Sequence, residues 1–182
     1  MVTDIHGLPI EPLWAAEFRG FFLGEGSLEI GLIRHTQLWK GRKGRPATPV
    51  AHIYDELRPR ARLIQRDDSR AILDAVKARL GGNITAHNAR VFTSGGNGKV
   101  YENKPTISWY VMNSEGIQRV LDLLKGGCFP HTKLREVAIL EEFLRLRPKA
   151  GHYWLPEHRA RCLELMAAMR KVREYPPTVP NS

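Results

Sequence analysis

The stretch AAEFRGFFLGEGSLEIGLI, Ala15 to Ile33, changes character midway. Its first half is an apolar helix that Pro12, following Glu11, opens and that runs to about Leu23. Its second half alternates: Leu28, Ile30 and Leu32 fall on one face of a strand, Glu29, Gly31 and Ile33 on the other. At the join stands Glu25, a carboxylate between two glycines at the end of a helix. The macrodipole there is negative, and Lys or Arg is the usual occupant. Either Glu25 points into water or a cation waits for it.

The rest of the chain continues as helices and strands. KGRKGRPATP (40–49) is a basic, turn-rich connection. LRPRARLIQ (57–65) is a strand with Leu57, Pro59, Ala61 and Leu63 on one face and Arg58, Arg60 and Arg62 on the other. Pro59 asks for an edge position or a bulge. DDSRAILDAVKARLGG is a helix capped by Asp67 or Asp68, with Ile72, Leu73, Val76 and Leu80 as its stripe and Gly81-Gly82 as its stop. NITAHNARVF and TISWYVMN are strands around the loop TSGGNGKVYENK. SEGIQRVLDLLKGG is a helix capped by Ser114. TKLREVAILEEFLRLR is a fourth helix, ended by Pro148, and LPEHRARCLELMAAMRKVREY a fifth. The order α-β-β-α-β-β-α plus extra helices makes an α+β fold, two hairpins in a four-stranded sheet with helices on one face. We expect a single domain over 1–182: a core of about 12–147, a C-terminal helical extension at 148–175 and a flexible tail at 176–182.

Charge narrows the partner. Lys and Arg number 28 against 19 Asp and Glu, a formal net charge of +9, which favours a polyanion, nucleic acid first and an acidic membrane surface second. Two cysteines, Cys128 and Cys162, are too few for a disulfide framework or a zinc site. The opening MVTDIHGLPIEPLW lacks the apolar centre of a signal peptide, and no run reaches the roughly 18 apolar residues of a membrane span. The expectation is an intracellular, soluble protein, in a bacterial or archaeal cytoplasm or in an organelle. SGGNGK (94–99) lacks the first glycine and following helix of a phosphate loop. Trp109 and Tyr110 could stack bases, but adjacent strand positions put one of them in the core.

FRGFFLGEGSLEI resembles the signature of the LAGLIDADG homing endonucleases, a helix running into Asp/Glu-Gly and then a strand. PRARLIQRDDSRAILDAVKARLGGNI and KLREVAILEEFLRL resemble the family's second-strand-to-helix segment and late basic helix, and the αββαββα order is the family's. The similarity covers about Leu13 to Arg147. Ala16, Gly20 and Gly24, four apart, form a ridge with almost no side chains that another helix backbone could approach; read without the resemblance, the same ridge could pack under the protein's own sheet. The resemblance implies that two such helices pair and bring their terminal carboxylates to adjacent phosphodiesters. With one motif copy the chain would be a homodimer.

The resemblance also implies the chemistry. Glu25 would be a catalytic metal ligand, joined by the Gly24 backbone carbonyl, for Mg²⁺, with Mn²⁺ able to substitute. Gln65 would orient water and metal, and Lys133 would stand near the scissile phosphate. Read without the resemblance, Gln65 is a helix cap and Lys133 a solvated lysine. Leu23 stands where many members carry a first acidic residue. The sheet would lie along the major groove of double-stranded DNA, with Glu29, Arg34, Lys40, Arg42, Lys43, Arg45, Arg58, Arg60, Arg62, Thr85 and His87 as contacts. The implied activity is metal-dependent, site-specific double-strand cleavage at a long, near-palindromic site, leaving 3′ overhangs, with an intron or intein-like origin. The alternative is a non-cleaving binder on the same fold, either an intron RNA maturase or a DNA-binding regulator.

Overall fold

A computed structural model describes residues 2–39, 50–93, 100–127, 130–148 and 154–173. Helix α1 (Pro12–Glu25) passes directly into strand β1 (Gly26–Trp39). It extends two residues past Leu23, because the Gly26 N–H still bonds the Phe22 carbonyl. Strand β2 (Val50–Arg66) returns antiparallel to β1 in unbroken register from Gly26 opposite Leu63 to Trp39 opposite Val50. A short 3₁₀ turn (Asp67–Ser69) then leads to α2 (Arg70–Leu80). After α2 come β3 (Asn83–His87), β4 (Arg90–Thr93), β5 (Val100–Asn103) and β6 (Thr106–Val111). Helices α3 (Ser114–Lys125), α4 (His131–Leu146) and α5 (Pro156–Arg173) finish the fold.

The main sheet has the order β1-β2-β6-β3, all neighbours antiparallel. The α+β class and the two-hairpin sheet expected from the sequence are therefore present. Three local readings need correction. The second hairpin is longer than a loop between two strands, because Asn88-Ala89 interrupts its first arm and β4 pairs with β5 as a separate two-stranded ribbon. Helix α2 is not capped by an aspartate side chain; Asp67 and Asp68 lie in the 3₁₀ turn, and no side chain caps either helix start there. The cap of α3 is Asn113 rather than Ser114, its Oδ1 accepting from the Gly116 N–H at 2.6 Å.

Alternation sorts the strands cleanly. Leu28, Leu57, Ala61, Leu63, Ile107 and Trp109 point to the helices and are buried. Pro59 sits among them where β2 has β1 on one side only, since β6 pairs no further than Ala61; this is the edge position that proline needs, because it donates nothing to a ladder. Helix α1 buries Ala15, Phe18 and Phe22, and α2 buries Leu73, Val76 and Leu80, while Ile72 stands 47% exposed beside the stripe it was expected to join. Helix α5 adds Cys162, Leu165 and Met169 to the same core.

Gly81 and Gly82, at φ 74° and 87°, end α2 as expected, and Gly82 has a second reason to be glycine. A Cβ there would lie 2.5 Å from the Tyr110 carbonyl oxygen. Beside it the Trp109 indole Nε1–H donates to the Gly81 carbonyl at 2.7 Å. Among the described residues no helix is long and apolar enough to cross a membrane.

Candidate functional site

Glu25 is the last residue of α1 and is exposed. Its position is fixed by the glycine that follows. A Cβ on Gly26 would lie 2.4 Å from the Phe22 carbonyl oxygen and 2.5 Å from the Phe22 ring, so only glycine lets the chain leave the helix this sharply.

The outward face of α1 is open. Ala16, Gly20 and Gly24 are exposed, Leu13 is 73% exposed, and a Cβ on Gly20 or Gly24 would meet nothing within 4 Å. The ridge therefore does not pack under the protein's own sheet; Ala15, Phe18 and Phe22 do that.

A cation lies at the helix end, paired with Glu136 rather than with Glu25. Lys133, in the first turn of α4, donates from Nζ to the Gly26 carbonyl at 3.3 Å and to Glu136 Oε2 at 2.8 Å, and lies 5.8 Å from the centre of the Phe22 ring. Its side chain is 14% exposed, so Lys133 is not a solvated surface lysine. The ammonium meets the carbonyl end of α1, where the dipole favours it. Glu136, 5% exposed, is the buried partner of this lysine, which the sequence reading missed; its place one turn after Lys133 was the available signal.

Gln65 lies two residues beyond the Leu63–Gly26 pair, opposite Ile107, and shares the helix-side face with Leu63. That parity carries Gln65 to the end of the sheet where α1 stops. It caps no helix, since neither the 3₁₀ turn nor α2 receives a side-chain cap bond. Glu25, Gln65 and Lys133, from three separate segments, are thus gathered at one end of the sheet.

The donors available at this end are oxygens: the Glu25 carboxylate, the Gln65 amide and the backbone carbonyls of the α1 terminus. Hard divalent ions select such donors, and Mg²⁺ needs only one or two carboxylates beside water and phosphate. Among the described residues no three His, Cys, Asp or Glu side chains cluster to form a self-contained metal cage. The donor set therefore fits an ion shared with a phosphate, or with a second copy's carboxylate.

The other sheet face is polar. Glu29 stands opposite Arg60 and the two form a bidentate pair, Nε to Oε1 and Nη2 to Oε2, both 2.9 Å. Arg58 Nη2 meets Glu56 Oε2 at 2.7 Å, His35 Nε2 lies 3.1 Å from the same oxygen, and Arg147 approaches Oε1 at 3.5 Å. The hydrogen bond from Arg58 holds the Glu56 carboxyl below its ordinary range despite burial pushing the other way. Arg62 lies between Ser27 and Tyr110 and has no carboxylate partner among the described residues.

Thr85 and His87 share this face, and His87 Nε2 is 2.8 Å from Ser108 Oγ. Tyr110 faces the same way while Trp109 is buried, so one of the pair is core, as the spacing required. Arg34 falls on the opposite parity, with Ile30 and Leu32, where it pairs with Asp55 at 2.9 Å. Lys40, Arg42, Lys43 and Arg45 lie outside the described residues.

No family model and no curated protein matches the sequence. Solved structures do match the fold. The homing endonuclease I-CvuI, crystallised in complex with its target, superposes at a TM-score of 0.58 with 13% identity, over 91% of this chain and 85% of that one. I-TnaI, a homing endonuclease, superposes at 0.55 with 14% identity, over 91% of this chain and 97% of that one. The LAGLIDADG meganuclease I-AabMI, bound to uncleaved DNA, superposes at 0.54 with 16% identity, over 89% of this chain but only 45% of that one. The chain has the fold of the LAGLIDADG homing endonucleases.

Proposed function

We propose that the protein is a homodimeric, metal-dependent, site-specific DNA endonuclease that cuts both strands of a long, near-palindromic site and leaves 3′ overhangs. One observation carries this reading. Glu25 is presented at the end of a helix whose small-residue face is open, with Lys133 and Gln65 brought to the same end from elsewhere in the chain.

A second copy pairing along the α1 face would set two Glu25 carboxylates side by side about a two-fold axis. Like charges at two negative helix ends repel, and a shared divalent ion relieves that repulsion. Glu25 and the Gly24 carbonyl would hold Mg²⁺ or Mn²⁺, which supplies an activated water and steadies the leaving oxygen. Gln65 would orient water by its amide. Lys133, fixed by Glu136, would stand beside the phosphate and offset charge that grows as the phosphodiester is attacked. The polar sheet face would lie on DNA, and the superposition over nearly all of I-CvuI and I-TnaI but under half of I-AabMI supports a chain that supplies one half of the assembly. An intron or intein-like origin accords with this reading.

One observation favours the alternative of a non-cleaving DNA- or intron-RNA-binding protein: the Lys133 ammonium is already paired with Glu136. A randomised duplex library incubated with the protein in Mg²⁺, Mn²⁺ or Ca²⁺ separates the two readings. The endonuclease gives fragments with defined ends in Mg²⁺ and Mn²⁺ and retained but intact duplexes in Ca²⁺, and Glu25→Gln abolishes cutting while retaining binding. Sequence-selective retention with no cutting in any metal establishes the binder. No retention and no cutting overturns both.

A further inference from the structure

Arg58, Arg60 and Arg62 of β2 look equivalent in sequence, yet their partners divide them. Arg60 gives Nε–H and one Nη2–H to Glu29, which leaves the end-on edge of the guanidinium, with two parallel N–H bonds on Nη1 and Nη2, directed away from the carboxylate. That edge matches the O6 and N7 acceptors of guanine. The side chain is held at both ends of its other edge, so little rotamer freedom remains to be lost on binding. The pair is also neutral, and a neutral pair releases no counterions. Arg58 is paired with Glu56 through Nη2 alone, its buried Nε having no hydrogen-bond partner. Arg62 has no such carboxylate among the described residues, and it stands nearest the Glu25 end of the row, opposite Ser27. It keeps a full charge and freedom to follow a phosphate.

We propose that Glu29 is a positioning residue for sequence discrimination: it aims Arg60 at a base edge and cancels its charge, while Arg62 is the arginine of this row that supplies sequence-independent attraction to the backbone. This rests on the DNA-binding reading above. It also has a counter-intuitive consequence. Removing an acid from a DNA-facing surface ordinarily improves binding to every duplex; here it should improve binding to the wrong duplexes and degrade the choice among them.

The test compares the best-enriched duplex from the library with a scrambled duplex of equal length, in Ca²⁺, at several salt concentrations. Glu29→Gln should raise affinity for the scrambled duplex and steepen its salt dependence by about two charges per dimer. It should also lower the ratio of selected to scrambled affinity by about tenfold or more. Arg60→Ala combined with Glu29→Gln, which removes both charges of the neutral pair, should lower that ratio and leave the salt slope of the wild type. Arg62→Ala should do the reverse, weakening both duplexes alike and flattening the slope by about two charges per dimer. A merely structural Glu29 would lower the melting temperature without moving either quantity. If Glu29→Gln leaves ratio and slope unchanged in a protein that still selects its duplex, the inference falls and the function stands. If the wild type shows no selection at all, both fall.

Discussion

Gly26 illustrates how narrow a single residue's choice can be. The obstruction is backbone and ring, neither of which can swing aside, so Gly26→Ala should destabilise the protein by about 1–3 kcal/mol, seen as a lower denaturant midpoint. Because the same residue fixes Glu25, the variant should lose cutting beyond what its unfolded fraction explains. Cys162 is fully buried, and burial pushes its thiol up to about 11. In a Cys128→Ser background, a thiol reagent at neutral pH should label Cys162 only as fast as the protein opens. At this scale the sequence nominated Glu25, Gln65 and Lys133 through the family resemblance of the segments that hold them, and the fold brings those segments to one end of the sheet. It did not show Glu136, a buried carboxylate whose partner is evident only once Lys133 is known to turn inward.

Among the elements, α1 is the one proposed to carry assembly. Open space around Gly20 means that Gly20→Leu cannot disturb the isolated fold, and it should stabilise the helix by about 0.8 kcal/mol through propensity. The added side chain would separate paired helices. The expected outcome is a protein with undiminished melting temperature whose light-scattering mass falls to the 20.7 kDa of one chain. A dimer that survives this change would place the interface elsewhere.

The β1–β2 hairpin carries a different expectation. Arg58 depresses the Glu56 carboxyl and Arg34 that of Asp55. Carboxyls lowered in the folded state lend stability that is complete above their unfolded values, 4.5 and 3.8, and is lost as pH falls through the lowered ones. Glu56→Gln should therefore flatten the acid limb of a stability–pH profile below about pH 4.5 and leave the neutral region little changed in slope.

Strand faces were legible because alternation has a fixed period. The register, and with it the Glu29–Arg60 pair, was not; it depends on how the connection at 40–49 closes, which no local pattern specifies. The break at Asn88-Ala89 was hidden for a similar reason, since the residues after it are as strand-like as those before.

At the scale of the whole molecule, the surplus of nine positive charges and the polar sheet face combine into one expectation. A two-fold assembly should protect roughly two helical turns, about 20 base pairs, of nearly palindromic DNA from nuclease digestion. Protection of a single short, asymmetric patch would contradict it. The composition pointed to a polyanion without saying which kind; the arrangement of small residues on α1 and arginines on β2 is what turned a charge balance into a geometry.

One bond on the helix side of the sheet offers a way to watch all this from inside. The Trp109 indole proton is enclosed, held by the Gly81 carbonyl at the junction of α2 and β3. It can trade with deuterium only when that junction parts. In heavy water its resonance should outlive that of half-buried Trp14, and its lifetime becomes a clock for opening of that junction, readable in the apo protein and again with DNA bound.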